Sequence, residues 1–307
     1  MVKTLRCLTL AVSVFMLPDA FAESSHTLAP IEVDGGRLSV TLEPDVFDLP
    51  HSELRDWITQ SAEALITYYG YFPVPETDIR LRASSGDSVR TGRMTGAGVP
   101  VLYITVGARS DRAALDRDWV LVHEMVHTAF PNVPYHQNWI EEGLAVYVEA
   151  ISRLQAGHIS AELAWGSFMR GMPNGRPGLF DQGLDRTNSW GNRYWGGAIF
   201  CLLADLEIRR QTDNKLGLQD ALRGVLKAGL DNRREGDLAE TFKVADGITG
   251  TTVLTKLYEE RRHTAVDTDL DLLWQQLGVI KSGRSVRFDD DAPEAYLRRA
   301  ISTRRDT

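Results

Sequence analysis

The stretch that decides the fold runs from residue 119 to residue 149 and reads WVLVHEMVHTAFPNVPYHQNWIEEGLAVYVE. Its first part predicts a helix, because apolar residues surround His123 and His127 and Pro131 ends the pattern. Two histidines four residues apart on a helix leave the same face one turn apart, so both imidazoles can bind one zinc ion. Glu124 lies about 100° round the helix from His123, where it can hold a water molecule beside the metal. The alternative is two histidines that act independently.

A second helix, after the turn at residues 131–134, contains the candidates for a third zinc ligand. Glu142 and Glu149 are seven residues apart and so share one face of a segment that is otherwise apolar, where unpaired carboxylates are costly. We expect Glu142 to bind the zinc and Glu149 to hold a ligand histidine. Gly143 would let the two helices approach closely. Glu141 is the alternative ligand, although it faces away from Glu149, and a polar helix face is the alternative to any site.

His-Glu-x-x-His followed by Trp-x-x-Glu-Gly-x-Ala-x-Tyr-x-Glu resembles the gluzincin zinc metallopeptidases, in particular their aminopeptidase N and glycyl aminopeptidase branches. The resemblance implies a thermolysin-like active-site helix, one zinc ion, and a peptide or protein substrate. It also implies that Glu142 is the third zinc ligand and that Glu149 steadies a ligand histidine. Fourteen residues separate His127 from Glu142, fewer than in most family members, so the connection is compact.

A later segment, residues 193–198, reads RYWGGA and opens a predicted apolar helix. In the related enzymes a Tyr-x-x-Gly at this place donates a hydrogen bond to the tetrahedral oxyanion, and Tyr194 and Gly197 match it. A phenol near zinc would stabilise charge that develops only in the transition state. The structural alternative is an aromatic cluster in which Tyr194, Trp190 and Trp195 pack the start of the helix.

One departure from the family concerns the Gly-x-Met-Glu-Asn loop and strand, whose glutamate grips the free amine of an aminopeptidase substrate. We align this feature with residues 96–100, which read GAGVP, followed by an edge strand at residues 101–106. The glycine-rich turn and the strand are present there, but the carboxylate is missing. An edge strand can still bind a peptide backbone. Whether the enzyme cuts at chain ends or internally therefore stays open.

The expected reaction is zinc-assisted hydrolysis of a peptide bond. Glu124 would remove a proton from water and pass it to the leaving amine, and Tyr194 would support the oxyanion. Two other classes of function stay open: a binding or assembly module that retains its zinc, and a hydrolase of a non-peptide bond in the cell envelope. A purely structural zinc fits less well, because three ligands beside a glutamate base are typical of an open site.

The layout of the whole chain predicts an α+β fold, in which a small N-terminal mixed sheet lobe is followed by a helical C-terminal lobe. We place the β-rich lobe, with one helix, at residues 23–110 and the helical metallopeptidase lobe at residues 111–307, together forming one catalytic unit. The predicted elements are short edge strands between residues 28 and 40, a helix over residues 51–69 capped by Ser52 and ended by Gly70, strands at 79–83 and 99–106 joined by a hairpin region, and helices after residue 110 with a loop-rich interval at 166–192.

The first 22 residues predict a signal peptide. Lys3 and Arg6 precede an apolar run over residues 7–17, and residues 20–22 read AFA, the small-x-small pattern before a cleavage site. The apolar run is too short to span a membrane, and no later stretch approaches that length. We therefore expect an exported protein, periplasmic or secreted, without stable membrane insertion. A buried N-terminal helix is the alternative.

The composition limits the classes of binding partner that we expect. The formal net charge is −8, without a long basic run, which disfavours nucleic-acid binding. Cys201 lies in an apolar run and is expected to be a small buried residue, not a nucleophile. His26 and His51 show no ligand-like neighbours at useful spacing in the sequence, and His136 is expected on a surface loop. Nothing in the sequence predicts an oligomeric state.

Overall fold

The computed structural model describes residues 24–96 and 98–305, so the predicted signal peptide at residues 1–22 lies outside the described part. The chain forms a mixed sheet followed by a largely helical part. Its elements are β1 (His26–Thr27), β2 (Ile31–Val33), β3 (Gly36–Glu43), α1 (His51–Tyr69), β4 (Glu76–Ser84), β5 (Val89–Thr95), β6 (Val101–Gly107), α2 (Arg112–Asp116), α3 (Val120–Val126), α4 (Trp139–Gln155), α5 (Ala161–Gly171), α6 (Gly197–Gln211), α7 (Leu218–Lys227), α8 (Leu238–Thr249), α9 (Val253–Arg261), α10 (Leu270–Leu277), β7 (Val279–Ser282), β8 (Ser285–Phe288) and α11 (Ala295–Ser302).

The N-terminal sheet has the strand order β1-β3-β4-β6-β5, with β2 paired to β3. Strands β3, β4 and β6 are parallel, whereas β5 runs antiparallel to β6 at the edge. The inner strand β6 buries Leu102, Ile104 and Val106, the alternation expected of a strand with one face in the core. The predicted hairpin between β4 and β6 is wrong, because residues 89–95 instead form the separate edge strand β5.

Helix α1 connects β3 to the parallel strand β4 and has the predicted bounds, residues 51–69. Its apolar residues, including Leu54 and Trp57, are buried in the core. The predicted cap is wrong: the helix begins after Pro50, no side chain caps it, and Ser52 lies within its first turn. Gly70 ends the helix as predicted, with a φ of 92° that glycine adopts without strain.

Helix α4 is the centre of the helical part and packs against α1, α3 and α6. Its Gly143 does permit a close helix approach, but the partner differs from the predicted one. A Cβ atom on Gly143 would lie 2.4 Å from the backbone of Gly197 in α6, not against α3. A Cβ atom on Gly197 would in turn lie 2.2 Å from the carbonyl oxygen of Trp139. The two glycines therefore set the distance between α4 and α6.

Two segments differ from the predicted helical half. The interval predicted as loop-rich begins inside α5, and residues 279–288, expected to be helical, form the hairpin β7–β8. Cys201 is buried in α6, as predicted. Among the helices that the structure describes, none combines the length and the apolar character needed to cross a membrane.

Candidate metal centre

Three predicted ligands meet in one cluster. His123, His127 and Glu142 each offer one ligand atom, and these atoms all lie within 4.8 Å of one another. Oε2 of Glu142 is 3.3 Å from Nε2 of His123 and 3.8 Å from Nε2 of His127. Two ligand atoms on a tetrahedral zinc are about 3.3 Å apart, since each bond is about 2.0–2.2 Å long. Both the spacing and the donor types, two imidazoles and a carboxylate, therefore fit a zinc ion.

The histidines come from the end of α3, a short and fully buried helix. Asp118 lies just before it and stabilises its start, because the backbone N–H groups of Val120 and Leu121 donate to its carboxylate at 2.8 and 3.1 Å. The helix ends at Val126, earlier than the sequence pattern predicted, and His127 opens a 3₁₀ turn. The two ligand rings still lie 5.1 Å apart between centroids. Our sequence analysis missed Asp118, although an aspartate just ahead of an apolar helix is a capping signal.

Glu142 comes from the first turn of α4, and its neighbour Glu141 has a different position. Glu141 accepts hydrogen bonds from the backbone N–H of Val133 at 3.3 Å and from Nδ2 of Asn138 at 3.0 Å. These contacts close the compact connection between the two helices. Of the two glutamates, Glu142 is therefore the one that lies with the histidines.

Glu124 lies between the ligand cluster and the edge strand β5. A Cβ atom on Gly92 of β5 would fall 2.4 Å from Cγ of Glu124, so the glycine leaves the space that this side chain occupies. The backbone N–H of Met94 lies near the carboxylate and partly offsets the effect of burial on its pKa. Burial raises the pKa of Glu124 despite the opposing charge of His127, and Glu142 raises it further. A buried carboxylate with a raised pKa is suited to accepting a proton.

Tyr194 lies on the opposite side of the cluster, within a π-helical turn, Asn192–Gly196, that leads into α6. Its hydroxyl lies near Glu142, and its ring stacks on that of His123, with 6.1 Å between centroids and 6° between planes. Burial, followed by the charge of Glu142, raises the pKa of Tyr194 well above its usual range. The phenol therefore stays a proton donor at any physiological pH. Tyr194 also stacks on Trp190. It therefore belongs to the predicted aromatic cluster and lies at the candidate metal centre at the same time.

Glu149 is buried in α4 but does not make the expected bond to a histidine. Its carboxylate accepts from Arg153 instead. Nδ1 of His123 is buried and has no hydrogen-bond partner among the described residues. Burial raises the pKa of Glu149 to about 7, although Arg153 opposes the shift. The pairing follows from helix geometry, because Arg153 lies one turn further along the same face.

The edge strand next to the cluster is β5, not the strand at residues 101–106 that we predicted. Strand β6 lies inside the sheet, between β4 and β5. On β5, Gly92 leaves the space that the Glu124 side chain occupies, so this strand lies beside the cluster. Thr95, the last residue of β5, follows Met94 and carries no charge. No local pattern in the sequence indicated that Gly92 would lie against Glu124.

A cavity of about 350 Å³ opens beside the ligand cluster. Its wall is mainly apolar and aromatic, and it includes His123 and Tyr194, so it is continuous with the cluster. The polar part of the wall consists of the Glu149–Arg153 pair, Arg117 and Ser167. The other apolar and aromatic lining residues are Trp119, Val146, Ala150, Ile159, Leu163, Trp190 and Trp195.

Comparison with known proteins finds the same fold in solved structures only, because neither protein-family models nor curated proteins match the sequence. An aminopeptidase N family protein from Idiomarina loihiensis has a TM-score of 0.61 at 15% identity, over 83% of this chain and 49% of that one. An M1 zinc metallopeptidase from Deinococcus radiodurans has a TM-score of 0.52 at 14% identity, over 80% and 52%. Yeast LTA4 hydrolase, solved with bestatin, has a TM-score of 0.54 at 15% identity, over 78% and 40%.

These structural neighbours are zinc metallopeptidases, and the chain spans only about half of their length or less. At such low identity the likeness establishes a shared fold: a mixed sheet at the N-terminal side and a helical part that follows it.

Proposed function

We propose that this protein is a zinc-dependent hydrolase of peptide bonds. One observation carries the proposal: a cluster of two histidines and a glutamate that fits zinc lies against Glu124, which in turn lies against the edge strand β5. The arrangement places a ligand set, a proton acceptor and an unpaired strand edge side by side. The fold shared with zinc metallopeptidases is consistent with it.

In this proposal His123, His127 and Glu142 hold the zinc ion. When bound, zinc supplies Lewis-acid activation of water and of the scissile carbonyl. Glu124 takes the proton from the attacking water and delivers it to the leaving amine. Its burial suits this exchange, because the raised pKa brings the carboxyl closer to neutral pH, where it can both gain and lose a proton.

Tyr194 donates to the oxygen that becomes negative in the transition state. Its ring stacks on His123 and its hydroxyl lies near Glu142, so the side chain already lies at the ligand cluster. A donor held in place before the reaction costs little reorganisation during it. The side chain acts by hydrogen bonding, since its raised pKa keeps the proton on the phenol.

The substrate is proposed to lie along β5 as an extended chain. Among the described residues, β5 pairs with β6 on one side only, which leaves the other edge for a peptide backbone. The cavity next to His123 then accepts one apolar side chain of the substrate. Because Thr95 has no charge to bind a free amine, we propose cleavage of internal or N-blocked peptides in preference to removal of N-terminal residues.

Export stays a prediction from residues 1–22. If the signal is cleaved as its pattern indicates, the substrate would be met in the periplasm or outside the cell.

The test measures hydrolysis of a peptide library, with free and with N-acetylated N-termini. Two proteins are compared: the chain starting at Glu23 and its Glu124→Gln variant. Zinc content is measured in both, because the exchange removes the proton acceptor but no ligand. We expect equal zinc content, cleavage of blocked peptides next to apolar residues by the unmodified protein, and a loss of activity of at least 10³-fold in the variant.

Activity that survives the exchange would overturn the role of Glu124. Zinc binding without cleavage of any peptide would overturn the substrate class and favour one of the two other functions, a binding module or a hydrolase of a non-peptide bond. Failure to retain zinc at all would overturn the metal site itself.

A further inference from the structure

A second group of metal-binding side chains lies on the other side of the sheet from the candidate centre. His26, Asp45 and His51 each offer one ligand atom, and these atoms lie within 4.8 Å of one another, the same criterion that the first cluster meets. Sequence spacing gave no sign of it, because the residues come from β1, from the loop after β3 and from the first position of α1. Strand pairing and the return of the chain into α1 bring them together.

The geometry within this group is close to that of a coordination sphere. Nε2 of His51 lies 3.0 Å from Oδ1 of Asp45, near the separation of about 3.3 Å between two ligands on a tetrahedral zinc. The rings of His26 and His51 lie 4.9 Å apart between centroids. His26 is exposed and the other two residues are half-buried, so solvent could complete the coordination.

The group cannot share an ion with the first cluster. It lies at the β1 end of the sheet, whereas the first cluster lies against β5, and four strand spacings amount to about 19 Å. The chain around it is already drawn together by backbone contacts: the N–H of Asp45 donates to the carbonyl of Ser24, and Arg55 donates to the carbonyl of Ala29.

We propose that His26, Asp45 and His51 bind a second divalent transition-metal ion, of which zinc is the probe, and that this ion fastens the two-residue edge strand β1 to the start of α1. Zinc, copper and nickel ions all bind imidazole and carboxylate ligands. A strand of two residues forms few backbone hydrogen bonds with β3. A metal ion bound to both β1 and α1 would act as a clip that adds stability to this short pairing. The proposal does not rest on the peptidase function.

The first experiment measures zinc stoichiometry and affinity by calorimetry on the untagged protein starting at Glu23, after removal of metal. We expect two equivalents of different affinity. His26→Ala should weaken the second equivalent at least tenfold and leave the first equivalent and the peptidase activity unchanged. His123→Ala should lose the first equivalent and keep the second. His263→Ala, a change at an exposed histidine outside both groups, should keep both.

The second experiment follows amide hydrogen exchange at residues 26–27 and 41–42 in the His123→Ala background, where only the second site remains. Zinc should slow exchange there at least tenfold, and adding His26→Ala should abolish the effect. The site is overturned if no zinc remains bound after His123→Ala, or if both His26→Ala and Asp45→Asn leave zinc binding in that background unchanged. The clip is overturned if zinc binds there without slowing exchange.

Discussion

In the proposed function, Thr95 is the residue whose lack of charge decides between free and blocked substrates. It is half-buried at the end of β5 and pairs with Val101, next to the residues that contact Glu124. A carboxylate there would face a free N-terminal ammonium of a bound peptide, and a threonine cannot pair with that charge. Selectivity for free or blocked substrates is thus expected to depend on one side chain.

Thr95→Glu should raise kcat/KM for peptides with a free N-terminus about tenfold relative to their N-acetylated forms, since a partly buried ion pair contributes about 1–2 kcal/mol. Thr95→Gln is the matched control, because it has the same length without the charge. The ratio of kcat/KM values for the two peptide sets is the readout. An equal change in both variants would show that size, and not charge, sets the preference.

Tyr194 provides a second prediction at this scale. Tyr194→Phe removes only the hydroxyl, so kcat should fall about 10²–10³-fold while KM and zinc content change little. Phenylalanine can still stack on His123 and Trp190, so the fold should be unchanged in the variant. A large rise in KM with an unchanged kcat would instead assign the hydroxyl to substrate binding.

At the scale of elements, the site depends on how closely α4 and α6 pack. Helix α4 carries Glu142, and α6 follows directly on the turn that carries Tyr194. Gly143 and Gly197 meet where the two helices cross, with no room for a methyl group at either position. The distance between Glu142 and Tyr194 is therefore set by two residues that have no side chain.

Gly197→Ala should lower the free energy of unfolding by about 1–3 kcal/mol, because its methyl group would press on the carbonyl of Trp139. It should also lower zinc affinity, since α4 must shift. Gly247→Ala is the control: it lies in α8, is exposed and has no atom within 4 Å of the added Cβ, so it should be neutral or stabilising by up to about 1 kcal/mol. Urea unfolding measures the free energy of unfolding of both variants. Equal changes in the two variants would contradict a tight crossing of α4 and α6.

At the scale of the whole molecule, the ligand cluster joins the sheet to the helical part. Helix α3 contacts β5, α1 and α4, and α4 contacts α1 and α6, so the ligands belong to elements that hold both parts together. Zinc would bind only the folded arrangement of these elements. Metal binding and global stability should therefore be linked.

Cys201 is a built-in probe of this linkage. Its thiol is buried in α6, and burial, with a smaller effect of Asp205, raises its pKa, so it should be inert to a thiol reagent in the folded protein. In mild denaturant, zinc at a hundredfold excess over its Kd stabilises the folded state by about 2.7 kcal/mol, and labelling should slow about hundredfold. The labelling rate of the protein lacking residues 1–22 is the measurement. Rapid labelling without denaturant, or a rate insensitive to zinc, would contradict the linkage.

The sequence alone determined those features that depend on residues close together in the chain. The His-Glu-x-x-His spacing places its residues on one short helix and the 3₁₀ turn that continues it. Glu142 is one of two adjacent candidates, and α1 follows from apolar periodicity ended by a glycine. Local geometry is enough for these, because the backbone of a helix specifies which side chains share a face.

Tertiary structure decided everything that depends on partners distant in the chain. It placed β5 and not β6 at the edge, brought Gly92 to Glu124, paired Glu149 with Arg153 in place of a histidine, and joined His26 to Asp45 and His51. Strand order and helix crossings are set by the packing of the complete core, in which many small contacts compete. No local pattern of residues specifies the outcome of that competition.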